Sequence, residues 1–143
     1  MLEVDLLIDA MREDPAVDIA TFGHPFADED LWLYPNAVKV VTDRTGTALY
    51  FSRAPIPGTF PGAEVPGHLG ALRHVGIYGF RRAALERFLG LPRTPLEVAE
   101  GLEQLRALEN GMRIKVLATD HEPVGVDTPE DLESARAQWR NRD

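Results

Sequence analysis

The chain has 143 residues, with 15 Lys and Arg against 23 Asp and Glu for a formal charge of −8, and it contains no cysteine. Without cysteine there is no disulfide scaffold, thiolate zinc site or cysteine nucleophile, and a reducing, cytoplasmic location is expected. The acidic balance excludes the basic stripe a nucleic-acid binder needs, and no apolar run approaches the ~18–20 residues that span a bilayer, so neither nucleic acid nor membrane is expected as a partner.

From the N-terminus, Val4, Leu7, Ile8 and Met11 recur at helical spacing between Leu2 and Arg12, and Asp14-Pro15 ends the run, because the residue before proline is pushed out of the α region. Acids stand here where a signal peptide would carry Lys or Arg. Val17 to Phe22 reads as a short strand and Asp28 to Leu33 as a helical turn. Ala37–Thr42 and Ala48–Phe51 flank the turn-rich Asp43-Arg44-Thr45-Gly46, which predicts a β-hairpin. Pro55 to Gly70 is rich in Pro and Gly and reads as one long loop rather than a linker, since strand-like sequence resumes after it.

Arg73 to Phe80 is β-rich, and its period places His74 and Tyr78 on one face with Val75 and Ile77 on the other. Ala83 to Leu89 predicts a helix stopped by Gly90. Thr94-Pro95-Leu96-Glu97 is a capping-box helix start, and a single helix is predicted from Pro95 to Asn110-Gly111, with Val98, Leu102, Leu105 and Leu108 as its buried stripe. Arg113 to Thr119 reads as a strand. Val124 to Asp127 reads as a short buried strand, followed by a capped helix from Pro129 to about Arg140 with Leu132, Ala135 and Trp139 on one face. The fold class is therefore α/β with a mixed sheet, in a single unit covering residues 1–143.

The short signatures of P-loop, dinucleotide, zinc-protease and nucleophile-elbow sites are all absent. What remains is a set of polar residues in unusual places. Arg53 stands at a strand end, where its guanidinium can fork onto a carboxylate or phosphate or simply face solvent. His74 and Tyr78 could line a polar pocket, or be a half-buried His and a Tyr whose hydroxyl reaches water. Glu103 and Gln104 read as a solvated helix face, with Glu97 and Glu100 nearby and Glu97 explained by capping. Asp127, ending an apparent strand before a capped helix, could bind a hard cation or assist the cap at Thr128.

Five ordered blocks carry a resemblance: Pro35–Val41, Ala48–Pro57, Arg73–Tyr78, Pro95–Glu97 leading to Leu102–Arg106, and Gly125–Leu132. Together they resemble the 3-deoxy-manno-octulosonate cytidylyltransferases, the CMP-Kdo synthetases. The region Thr21 to Leu33 matches less well, and Tyr34 stands where an Asn is more usual. The resemblance implies a Rossmann-like nucleotide-diphospho-sugar transferase fold, a homodimer, and Mg²⁺-dependent transfer of CMP from CTP to the anomeric hydroxyl of Kdo, with release of pyrophosphate, for lipopolysaccharide synthesis. It implies that Arg53 holds the Kdo carboxylate, that His74, Tyr78, Glu103 and Gln104 fix the sugar hydroxyls, and that Asp127 binds Mg²⁺. The family's basic phosphate-cradling loop and its second metal-binding block have no counterpart in these 143 residues. The expectation is thus the C-terminal sugar-binding and dimerisation part of a larger enzyme, with the N-terminal nucleotide-binding half missing and no activity alone. The alternative is a non-catalytic sugar-acid-binding or dimerisation module.

Overall fold

The computed structural model describes residues 3–122 and 125–141. Its elements in chain order are α1 (Glu3–Glu13), β1 (Ile19–Pro25), α2 (Glu29–Leu33), β2 (Lys39–Thr42), β3 (Ala48–Ser52), β4 (Leu72–Phe80), α3 (Arg82–Leu89), α4 (Pro95–Glu100), α5 (Gln104–Glu109), β5 (Ile114–Ala118) and α6 (Pro129–Arg140). The strands form one sheet in the order β3-β2-β4-β1-β5, in which only β1 and β5 run parallel. A mixed sheet was expected and is observed.

The hairpin is set by its turn. The Asp43 carboxylate accepts hydrogen bonds from the Thr45 and Thr47 N–H groups and the Thr45 hydroxyl, and Gly46 takes φ +83°, a region that favours glycine. The turn then curls over the sheet, so that Val116 of β5 donates its N–H to the Gly46 carbonyl at 2.8 Å.

Both faces of the sheet are covered. On one, Ile19, Val40, Phe51, Ile114 and Val116 pack with Leu102, Leu105 and Ala107 of the α4–α5 segment. On the other, Leu7 of α1 packs with Val17, Ala20 and Phe22. Arg81 stitches α1 to the sheet, donating to the carbonyls of Val17 at 2.9 Å and Met11 at 2.6 Å. The loop 55–70 ends in a 3₁₀ turn at Gly67–Gly70 and is anchored by Trp32, whose indole N–H donates to the Ile56 carbonyl at 2.8 Å.

Three expectations need correcting. The segment 95–110 is two helices and not one, because Gly101 adopts a left-handed φ of +65° and closes α4. That break puts Val98 in solvent, 59 % exposed, and buries Glu97 in the place expected for an apolar residue. Glu97 is accommodated by a two-pronged ion pair with Arg106, at 2.8 and 2.5 Å, which ties α4 to α5. The guanidinium of Arg106 also sits 4.8 Å from the centre of the Phe88 ring.

The second correction concerns the short strand expected at Val124 to Asp127. Val124 lies outside the described residues, and Gly125 to Asp127 are exposed and belong to no strand. No described residue pairs with them to make a ladder, and local apolarity alone cannot supply one. The third is α6, which forms as expected with Thr128 as its N-cap but buries none of its residues. Leu132 and Trp139 are 40 % and 74 % exposed, so the predicted apolar face is not buried among the described residues.

Candidate functional site

Arg53 follows β3 directly and does not simply face solvent. Its Nε donates to the Glu100 carbonyl at 2.8 Å and its Nη2 reaches the Gly101 carbonyl at 3.4 Å, so the guanidinium caps the C-terminal end of α4. The Glu100 side chain completes the junction. Its carboxylate accepts from the Ser52 hydroxyl at 2.6 Å, the Arg53 N–H at 2.9 Å and the Tyr50 hydroxyl at 3.3 Å. Burial pushes the Glu100 pKa up, but these donors outweigh it and the net direction is downward.

Behind this pair lies Lys39, fully buried in β2. Its ammonium donates to the carbonyls of Tyr34 at 2.7 Å and Arg53 at 2.8 Å, which fixes the backbone from which the Arg53 side chain departs. Burial lowers the Lys39 pKa, with the negative charge of Glu100 opposing the shift. Lys39, Ser52 and Glu100 were not picked out by sequence reasoning as parts of the site. The one available signal was a Lys inside the apolar run Ala37-Val38-Lys39-Val40-Val41.

His74 and Tyr78 are close neighbours on β4, but not through the regular strand period, which would set them ~13 Å apart; the register shift between Val75 and Tyr78 brings them together. Their ring centroids lie 5.4 Å apart, within a row of aromatic side chains that continues through Phe80 to Phe88 and begins with Phe51, edge-on to His74 at 5.0 Å. Burial draws the His74 pKa down to about 4, so its ring is neutral near pH 7. Burial also raises the Tyr78 phenol, reinforced by the negative charge of Glu103. The phenol is therefore a hydrogen-bonding group rather than a base.

Tyr78, Glu103 and Gln104 line a cavity of about 400 Å³ whose wall is otherwise largely apolar, formed by residues such as Phe80, Leu85 and Phe88. Gln104 is buried, unlike the solvated helix face it was expected to occupy, because the break at Gly101 turns the start of α5 inward. Gly101 lines the same cavity, and Arg53 holds its carbonyl. Arg53, Tyr78, Glu103 and Gln104 are thus gathered around one cavity. His74 and Asp127 instead line a second, more polar cavity of about 840 Å³, shared with Arg73, Asp120 and His121.

The site can bind but lacks a nucleophile–base pair. It offers a guanidinium for an anion, with an acid, an amide and a phenol for hydroxyls. Asp127 alone does not fit a Mg²⁺ site. The described residues contain no group of three His, Asp or Glu side chains placed to hold a metal, whereas Mg²⁺ is demanding in geometry and takes its carboxylates alongside phosphates.

Residues 3–114 match the family model described as Cytidylyltransferase. The chain belongs to the cytidylyltransferase family. It is 47% identical over 142 residues to the 3-deoxy-manno-octulosonate cytidylyltransferase of Syntrophotalea carbinolica, covering 96% of this chain and 57% of the relative. It is 53% identical over 131 residues to the enzyme of the same name from Rhodopseudomonas palustris, covering 89% of this chain and 50% of the relative. Among solved structures it is similar to CMP:2-keto-3-deoxy-manno-octonic acid synthetase complexed with CTP, with a TM-score of 0.88 and 38% identity over 99% of this chain and 56% of that one. This cytidylyltransferase chain thus spans about half the length of the relatives it matches. Their shared architecture is the mixed α/β sheet described above, and no described helix is long and apolar enough to cross a membrane.

Proposed function

We propose that this chain is the sugar-acid-binding and dimer-forming part of a cytoplasmic cytidylyltransferase that transfers CMP from CTP to the anomeric hydroxyl of Kdo, feeding lipopolysaccharide synthesis. In that reaction the anomeric oxygen bonds to the α-phosphorus of CTP and pyrophosphate leaves, so the protein's task is to position and neutralise charge. Arg53 meets the sugar carboxylate, using the Nη1 donor that no described residue occupies. Tyr78, Glu103 and Gln104 meet the hydroxyls, and His74 contributes from the adjoining face.

One observation carries this reading. Arg53, Tyr78, Glu103 and Gln104 come from a strand end, a second strand and the start of a helix, yet Tyr78, Glu103 and Gln104 line one cavity and Arg53 grips the glycine in its wall. A nucleotide needs more than these residues supply, and Asp127 is a lone carboxylate, so the isolated chain is read as binding the sugar acid without turning over CTP. As a homodimer it would sediment at twice its 15.9 kDa mass.

Titration calorimetry with Kdo tests the assignment. Kdo should bind the 143-residue chain, and Arg53→Ala should weaken binding by at least about tenfold, the scale of one charged hydrogen bond. Absence of Kdo binding, or an Arg53→Ala variant with unchanged affinity, would overturn it. CTP-dependent formation of CMP-Kdo by the purified chain would overturn the assignment of binding without turnover.

A further inference from the structure

Thr21 lies in β1, fully buried, beside an irregularity in the sheet. It pairs with Tyr78 of β4, while the next residue, Phe22, pairs with Val75, so Gly76 and Ile77 are extra residues in the β4 strand. Around this bulge the Thr21 hydroxyl lies 2.7 Å from the Ile77 carbonyl oxygen and 3.0 Å from that of Val75. It also lies 3.0 Å from Nε2 of His74.

A hydroxyl has one proton to give. Two oxygens 2.7 Å apart, one of them a carbonyl, repel unless a proton lies between them, so the Thr21 proton is committed to the bulge, at Ile77. The hydroxyl can then only accept from the histidine, and Nε2 must carry the ring's hydrogen. Because burial keeps the ring neutral, Nδ1 is left as a lone pair with no hydrogen-bond partner among the described residues. His74 forms part of the wall of the 840 Å³ cavity.

We propose that Thr21 is a positioning residue that locks His74 in the Nε2–H tautomer, so that Nδ1 offers the site a fixed acceptor that selects a ligand hydroxyl over an anionic oxygen. The choice of hydroxyl ligand rests on the sugar-acid reading given above; the tautomer rests on the bulge geometry and the buried, neutral ring, independently of that reading. Anion recognition then falls to Arg53, while His74, from the wall of the second cavity, adds an acceptor for a hydroxyl to those of Tyr78, Glu103 and Gln104.

The experiment is nitrogen-15 NMR of the labelled 143-residue chain at pH 7, reading the two ring nitrogens of His74 in wild type, Thr21→Ser and Thr21→Val. Wild type and Thr21→Ser should show a protonated Nε2 and an unprotonated Nδ1, whereas Thr21→Val, which keeps the shape and removes the hydroxyl, should show the tautomers mixed. A protonated Nδ1 in wild type overturns the proposal, and that spectrum decides even if Thr21→Val fails to fold. So does a wild-type pattern in a folded Thr21→Val. Calorimetry with Kdo supplies the second readout: about a tenfold loss in Thr21→Val, restored by Thr21→Ser. Equal affinity in all three overturns the link between tautomer and binding. If wild type binds no Kdo, the sugar-acid reading fails, while the NMR still decides the tautomer.

Discussion

Replacing Gly101 with Ala should destabilise the chain, although glycine to alanine within a helical stretch ordinarily does the opposite. If residues 95–110 formed one continuous helix, alanine would gain about 0.5–1 kcal/mol by restricting the unfolded chain. Gly101 instead sits at φ +65° and ψ 37°, the left-handed region, where an added Cβ crowds the following carbonyl and costs about 1–2 kcal/mol. Space is not the obstacle: the nearest atoms to a built Cβ are Nε and Nη2 of Arg53 at 3.9 Å, an ordinary contact. At roughly 3–5 °C per kcal/mol for a chain of this length, the melting temperature should fall by about 3–10 °C. Asparagine tolerates the left-handed region better, so Gly101→Asn should lose less than Gly101→Ala. Thermal unfolding followed by far-ultraviolet circular dichroism measures all three. An alanine variant as stable as wild type, or more stable, would refute the left-handed break and with it the inward turn of Gln104.

The Glu97–Arg106 pair predicts a pH dependence. Arg106 holds the Glu97 carboxyl down to about 2, so its stabilising contribution is complete above the ordinary carboxylate pKa and is lost as the pH falls from about 5 towards 2. The gap in urea midpoint between wild type and Glu97→Gln should therefore narrow steadily over that range, and a constant gap would count against the pair. Gly67→Ala places a Cβ within 2.7 Å of the Trp32 ring, so it should cost about 1–3 kcal/mol and shift the fluorescence of Trp32. An unshifted spectrum with wild-type stability would show that the loop 55–70 is not anchored there.

Much of the local structure was legible because its signals act over four residues or fewer. Asp43 and Gly46 announce the hairpin, Thr128-Pro129 the last helix, and Gly90 the end of α3, and each is found where those signals put it. The same local reading failed at Gly101, since a glycine within an apolar stripe is compatible with a continuous helix and only packing against β3 decides that the chain turns there. It failed again at Glu97 and Val98. Periodicity assigns the interior to the apolar residue, whereas the guanidinium of Arg106, nine residues on, makes burying the acid the better solution.

The site was legible only through family resemblance, and composition and spacing left Arg53, His74 and Gln104 open to plainer readings. Tertiary structure decided what those side chains do, because their partners are remote in sequence: Glu100 lies 47 residues from Arg53, and Thr21 lies 53 from His74. Sequence alone determined the α/β class, most of the elements and the acidic balance of the chain. The pairing of β1 with β4, and the bulge within it, determined which partners the Thr21 hydroxyl and the His74 ring meet, since hydrogen-bond capacity is allotted only once the strands are in register.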